Sequence, residues 1–459
     1  MNGRTLTLMT LLVLAIAVST GWAQTVVVAR PLGVQVLFDR THEAPVSSYQ
    51  VEGVLTGLGF DVVRCDASLT SVADELAKSK ALLIWQEVAP VPFTPDETKL
   101  ITDYVRKGGT LILVGNLSNW KAHNRSAPAN AYPLFSLAGK LGVKLAEVDH
   151  QQDVEKGKVF YYHRRDPLSY TNLVKEARTP TGKASQLFLS ALPAPQPGHR
   201  GQKRTIDPEK ELVLGRLRIM YPENLASRIR PLPVLLKRIL PALEKLYDAE
   251  LEADVTVRAL AFNGSQWIAS HDFDLNVCLP TDRVAFDLTK ELAYCWYFPG
   301  GRKVTLPRWI AYGWTDATAA RVLKSSGLGG YANGALRTYK TEFLKADPTR
   351  NQLDLSVKPA SGRMNAYRGK AIHLLEALEK RTRMSVPARL RKGIRVGHGA
   401  GWFQQTVDGD QTVQVLSLAL GVDCFDFFKQ MGVTVTPKPL DFEAYRKLEA
   451  ELDKLLAVK

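Results

Sequence analysis

What this sequence lacks narrows it most. Only four cysteines occur in 459 residues, Cys65, Cys278, Cys295 and Cys424, and none sits in a C-x-x-C spacing. A zinc ribbon and a dithiol redox motif are therefore excluded. Cys278, Cys295 and Cys424 fall in the later part of the chain, where one disulfide among them and buried free thiols both fit the spacing. The eight histidines, at positions 42, 123, 150, 163, 199, 271, 373 and 398, form no H-x-x-x-H or H-x-H pair. There is no G-x-S-x-G, and Asn263-Gly264-Ser265 reads as a turn between strands rather than a nucleophile elbow. The glycine-rich residues 327–330 lack the lysine of a phosphate-binding loop and follow a helix rather than a strand. After the first residues no long uncharged apolar run appears, which excludes a multi-span membrane protein and leaves no integral membrane segment once a leader is cleaved.

What is present is ordinary in bulk. Apolar residues make up 45% and charged residues 23%, so disordered, collagen-like and coiled-coil chains are ruled out. A chain of this length carries roughly three domains at about 150 residues each. The net charge is +14, but the positives are scattered, with short clusters at 200–204 and 381–395. No nucleic-acid motif accompanies them, and no nucleic-acid partner is expected. At the N-terminus a short basic stretch ends in Arg4, and residues 6–18 are almost wholly apolar. Gly21-Trp22-Ala23 then offers small residues at the cleavage-determining positions. The pattern is that of a signal peptide over residues 1–23 of a secreted or periplasmic bacterial protein, with cleavage before Gln24.

Residues 24–150 alternate short apolar runs with helical stretches. Strands are expected at 34–38, 61–64, 81–85 and 110–114, and helices at 49–58, 72–77 and 94–107. Thr94-Pro95-Asp96-Glu97 is a strong helix start: an N-cap, a proline in the first turn, then acids. Such alternation predicts an α/β domain with a doubly wound parallel sheet. Ligands of these sheets bind beyond the carboxyl ends of the strands. Those ends carry Asp39 and His42, Glu87, and Asn116, which are ligand-binding candidates or ordinary turn and capping residues.

Residues 36–39 with Thr41-His42, and the turn and strand at 107–113, resemble the glutamine-amidotransferase-like (flavodoxin-like) domains of exported bacterial proteins. The resemblance implies a cysteine on a tight turn after a strand. This chain has Gly115-Asn116-Leu117 there, and Cys65 follows another strand without elbow glycines. The domain is therefore read as a binding or scaffolding unit. Residues 151–225 follow as a β-rich connector, with strands expected at 159–162 and 212–220 and an exposed loop at 192–204.

Residues 226–459 open with an amphipathic helix at 233–247 that contains Pro241, followed by strands at 255–262, 267–270 and 274–278. Two motifs then carry the second resemblance. Residues 286–296 read Phe-Asp-Leu-Thr-Lys-Glu-Leu-Ala-Tyr-Cys-Trp, and residues 307–316 contain Trp309-Ile310-Ala311-Tyr312-Gly313-Trp314. Both are similar to elements of the gluzincin zinc peptidases, which carry H-E-x-x-H on one helix and a glutamate before Gly-Trp or Gly-Phe on a later one. A helix at 367–378 and a closing element at 417–432 fit the same order. The resemblance implies an α+β peptidase-like domain and, aligned residue by residue, places Lys290 and Tyr294 at the two histidine positions and Tyr312 at the third ligand. Glu291 keeps the position of the general base. Two residues four apart on one helix can reach one metal, but an ammonium and neutral phenols are poor zinc ligands. No metal and no other cofactor is therefore expected, and Glu291 is a vestigial base.

Lys290 either points to solvent or replaces the metal's charge by pairing with Glu291, Asp316 or both. The aromatic residues Tyr294, Trp296, Tyr297, Phe298, Trp309, Tyr312 and Trp314 either line the old cleft or form core. The leading expectation is a secreted, non-catalytic pseudopeptidase that binds or scaffolds an extracellular peptide, glycoprotein or polysaccharide. The alternatives are an active secreted hydrolase with non-standard metal ligands and a purely structural component of a surface assembly.

Overall fold

The computed structural model describes residues 34–43, 48–86, 90–148, 150–163, 199–261, 266–269, 271–360 and 362–457. The expected leader at 1–23 lies outside the described residues.

Seven strands form the first sheet: β1 (Gln35–Asp39), β2 (Asp61–Cys65), β3 (Ala81–Gln86), β4 (Thr110–Gly115), β5 (His150–Val154), β6 (Gly157–His163) and β7 (Lys203–Ile206), in the order β5-β6-β4-β3-β1-β2-β7. Every pairing is parallel except the edge hairpin of β5 with β6. Successive residues of a strand face opposite sides, and here both sides are apolar. Leu37, Leu82, Ile84 and Leu111 enter one core, while Val36, Phe38, Leu83 and Ile112 enter the other. The unbroken run Ala-Leu-Leu-Ile-Trp-Gln of β3 is thereby buried along its whole length, as a strand covered on both faces requires. Helix α1 (Ser48–Gly57) covers one face with Val51 and Leu55. The other face is covered by α2 (Ala73–Lys78), α3 (Pro95–Arg106), α4 (Leu117–His123) and α5 (Pro133–Lys140). The expected start of α3 is present as a capping box: Thr94 Oγ1 accepts from the Glu97 amide, and Glu97 accepts from the Thr94 amide. The expected α/β sheet is thus observed.

Of the stretch expected as a β-rich connector, residues 151–225, the described parts 151–163 and 199–225 contribute strands to two sheets. Its strand β6 extends the first sheet beside β4, and β7 pairs in parallel with β2. Strands β8 (Lys210–Leu214) and β9 (Leu217–Tyr221) join β10 (Val255–Leu260), β11 (Gln266–Ala269) and β12 (Asp272–Asn276) in a mixed five-stranded sheet of order β11-β12-β10-β9-β8. Parallel partners are remote in sequence, so local pattern does not reveal them. The short edge strand β7, Lys-Arg-Thr-Ile, is largely exposed and carries no apolar alternation.

From α6 (Ala226–Ile229) and α7 (Leu232–Tyr247) onward, the chain beyond the second sheet is helical: α8 (Thr281–Cys295), α9 (Thr315–Ser325), α10 (Gly330–Ala346), α11 (Met364–Thr382), α12 (Val386–Gly399), α13 (Gly409–Leu420), α14 (Phe425–Gln430) and α15 (Phe442–Ala457). A π-helical turn, Ile310–Trp314, leads directly into α9. One apolar core runs from the second sheet through these helices. None of the described helices is long and apolar enough to cross a membrane.

The two sheets meet through charge. Arg40, just past β1, places one guanidinium nitrogen 2.6 Å from Asp274 of β12 and another 3.3 Å from Asp66, just past β2. Arg258 of β10 lies 3.8 Å from the other oxygen of Asp274. Burial works against the charge of Arg40, but Asp66 and Asp274 overcome it and raise its pKa. Burial pushes Asp274 above the usual carboxylate range, against the pull of Arg40. Substituting Arg40→Met removes the closest cation of two buried carboxylates, leaving Asp274 with Arg258 and Asp66 with Arg64 at longer range, and is expected to cost ~3–5 kcal/mol, read from urea unfolding. An unchanged midpoint would show that the joint carries no stability. Arg216→Ala, which breaks only the exposed pair with Asp254, should leave the midpoint where it is.

Candidate functional site

At the strand ends of the first sheet, the described candidates Asp39, His42 and Asn116 engage neighbouring side chains and backbone. The order β2-β1-β3-β4 puts its switch point between β1 and β3, where an open α/β sheet binds ligands. Here that point is filled by the chain itself. Asp39 Oδ2 lies 2.7 Å from His42 Nδ1, and Glu97 Oε2 lies 3.3 Å from His42 Nε2, with all three residues buried. Phe93 stacks on the imidazole at 4.3 Å. Burial disfavours the imidazolium, but Asp39 and then Glu97 outweigh it and raise His42 to about 10. Glu97, despite burial, is lowered to about 2, chiefly by the His42 hydrogen bond. Asn116 caps α4, its side chain accepting from the Asn119 amide. Glu87 lies outside the described residues. Cys65 is buried, donates to Ala67 O and has its pKa raised by burial, so it is no activated thiolate. All four cysteines are free thiols, which answers the open pairing.

The second candidate region does form a cleft, of about 610 Å³. Along α8, Arg283, Asp287, Lys290 and Tyr294 recur at helical spacing and face it. The Lys290 ammonium is 3.0 Å from Glu291 Oε1 and nearly sealed from solvent. Burial opposes its charge, but Glu291, Asp316 and Asp287 raise its pKa, so it is held as a cation. Of the two alternatives for Lys290, the paired one is therefore observed. Beneath the cleft, Asp316 is fully buried, and burial raises it to about 6 against the pull of Arg368 and Lys290.

Arg368 of α11 is the residue that sequence reading missed. It sits 3.5 Å from Asp316, donates to Tyr339 Oη at 2.9 Å, and lies over the rings of Tyr312 and Tyr339 at 5.4 and 5.3 Å. Two glycines place it there. A Cβ on Gly313 would fall 2.3 Å from Ala371 Cβ, and one on Gly369 would fall 2.0 Å from Tyr339 O. Only bare backbone lets the π turn and α10 approach α11 so closely. Lys290 and Glu291 were named through the resemblance of their motif, whereas Arg368 had no local signal.

Neither Tyr294 nor Tyr312 is offered to a metal. Tyr294 Oη donates to Val304 O at 3.1 Å and accepts from the Leu306 amide at 3.2 Å, pinning one wall of the cleft. Burial pushes it up to about 12. The Tyr312 ring is engaged by Arg368. A cation and two phenols do not fit zinc, which takes imidazole, thiolate or carboxylate. Among the described residues, no three His, Cys, Asp or Glu side chains gather as a metal set. The tryptophans are core: Trp296 donates to Ala249 O, Trp314 donates to Ala371 O, and Trp309 packs edge-on against Trp314. None of them lines this cleft.

With this geometry in place, comparison with solved structures finds similarity to yeast LTA4 hydrolase in complex with bestatin, at 14% identity and a TM-score of 0.35, covering 51% of this chain and 40% of that one. The chain thus spans about two fifths of that hydrolase's length. No family model matches the chain, and no curated protein matches it.

Two outcomes follow. Lys290→Met removes the ammonium that pairs with Glu291, while Asp316 keeps Arg368, and is expected to lower stability by ~3–5 kcal/mol in urea unfolding. An unchanged midpoint would sink the substitute-cation role. His42 has a folded pKa of about 10 against an ordinary 6.5, so its contribution is complete below pH 6.5 and fades as pH rises toward 10. Glu97, at about 2 against an ordinary 4.5, contributes above pH 4.5 and loses that contribution as pH falls toward 2. The stability gap between the chain and His42→Gln should therefore be widest between these ordinary values and shrink on the alkaline side. A gap that does not change with pH would contradict this.

Proposed function

We propose that this chain is an exported, non-catalytic relative of the gluzincin zinc peptidases, acting outside the cytoplasm as a binding or scaffolding protein for a peptide, glycoprotein or polysaccharide. The observation that carries the reading is the buried Lys290–Glu291 pair, 3.0 Å apart at the positions aligned with a metal ligand and the general base. A peptidase of that type needs its glutamate to take a proton from a metal-bound water. Here the carboxylate faces a fixed ammonium, and the flanking phenols are committed to backbone and to Arg368. The motifs at 286–296 and 307–316 preserve the surrounding frame while the ligand types have changed. A cleft that keeps its volume and convergent polar groups favours binding over a purely structural role. The buried, unactivated Cys65 supports a scaffolding role for the first sheet rather than amidotransfer.

The test is elemental analysis of residues 24–459, purified without chelators and again after zinc supplementation, alongside a peptide-cleavage screen. The reading expects no stoichiometric metal and no turnover. Near-stoichiometric zinc, with cleavage abolished by Glu291→Gln, would overturn it in favour of an active hydrolase.

A further inference from the structure

The binding reading leaves the ligand's chemistry open, and the lining of the cleft narrows it. Cations dominate: Arg283, Lys290, Lys303, Arg308 and Arg368 line it. The lining carboxylates are Asp287 and Glu291, and Asp316 lies beneath. Glu291 is matched by Lys290, Asp287 lies 3.9 Å from Arg283, and Asp316 is matched by Arg368. The set as a whole retains an excess of positive charge, and Arg308 stands exposed at the rim. Three tyrosines, 312, 331 and 339, present partly exposed rings and phenol hydroxyls along the same lining. Arg283 and Arg368 lie over these rings, which orients their planar forks. A guanidinium fork matches a carboxylate in geometry and charge.

The backbone of the cleft speaks against an extended peptide. Such a peptide is held chiefly by main-chain pairing with an open sheet edge. None of the residues lining this cleft belongs to β8–β12; they come from α8, α10, α11, the π turn and the loop at 303–308. Recognition here is by side-chain cations, hydroxyls and flat rings.

We propose that the cleft is a receptor site for an acidic saccharide, a glycan chain bearing uronate carboxylates, with the rim cations reading the carboxylates and the tyrosines meeting the sugar rings and hydroxyls. This rests on the binding reading given above and specifies its ligand class.

Calorimetric titration of residues 24–459 with a galacturonate hexamer, a neutral maltohexaose and a hexaglutamate peptide tests it. The galacturonate hexamer should bind about tenfold or more tighter than either other probe, and its affinity should fall with added salt. Arg308→Ala and Lys303→Ala should each weaken it severalfold, and exposed Arg308→Ala should do so without moving the unfolding midpoint. Equal or tighter binding of maltohexaose or hexaglutamate, indifference to both substitutions, or no binding of any probe would overturn the assignment. The two failures are separable. Binding of a neutral or peptide probe that Tyr312→Ala removes would sink the acidic-glycan assignment yet leave the non-catalytic reading intact. Bound zinc with peptide turnover would remove that reading whatever the titrations gave.

Discussion

A charge taken out of water persists only beside its opposite, and this molecule is organised around that constraint. Arg40 is the clearest case. Its guanidinium lies between Asp66 of the first sheet and Asp274 of the second, all buried, so the two sheets share one charge network. Desolvating these groups costs several kcal/mol each, and only close pairing repays it. The network therefore stabilises little over an apolar contact but penalises any displacement of one sheet against the other. It sits just beyond the carboxyl ends of β1 and β2.

The same constraint shapes the helical cleft. There Lys290 stands against Glu291 and Arg368 against Asp316, so each of these carboxylates keeps a cation beside it. These positions depend on close helix packing, with Gly313 and Gly369 admitting neighbouring backbone where any side chain would collide. The π-helical turn falls in the same segment and carries Tyr312. Such turns are frequent at functional sites.

Features set by nearest neighbours in the chain were readable in advance. The Thr94–Glu97 capping box and the apolar runs of β1 to β4 each follow from residues within a turn or a strand of one another. Lys290, Glu291, Tyr294 and Tyr312 were picked out by the resemblance of their motifs, and they share one cleft. Long-range pairing was not readable. The parallel partnership of β2 with β7, the division of the described parts of 151–225 between two sheets, and the burial of Asp39 and His42 all depend on contacts between distant segments. The tryptophans show the same limit, since a large aromatic at helical spacing looks alike whether it faces core or cleft, and here it faces core. Composition and local periodicity decide which segments become helices and strands, because propensity and capping act within a few residues. Only the packed molecule decides that Arg368 meets Asp316 and Tyr312, because that meeting is made by helices approaching in space and leaves no trace in the spacing of the chain.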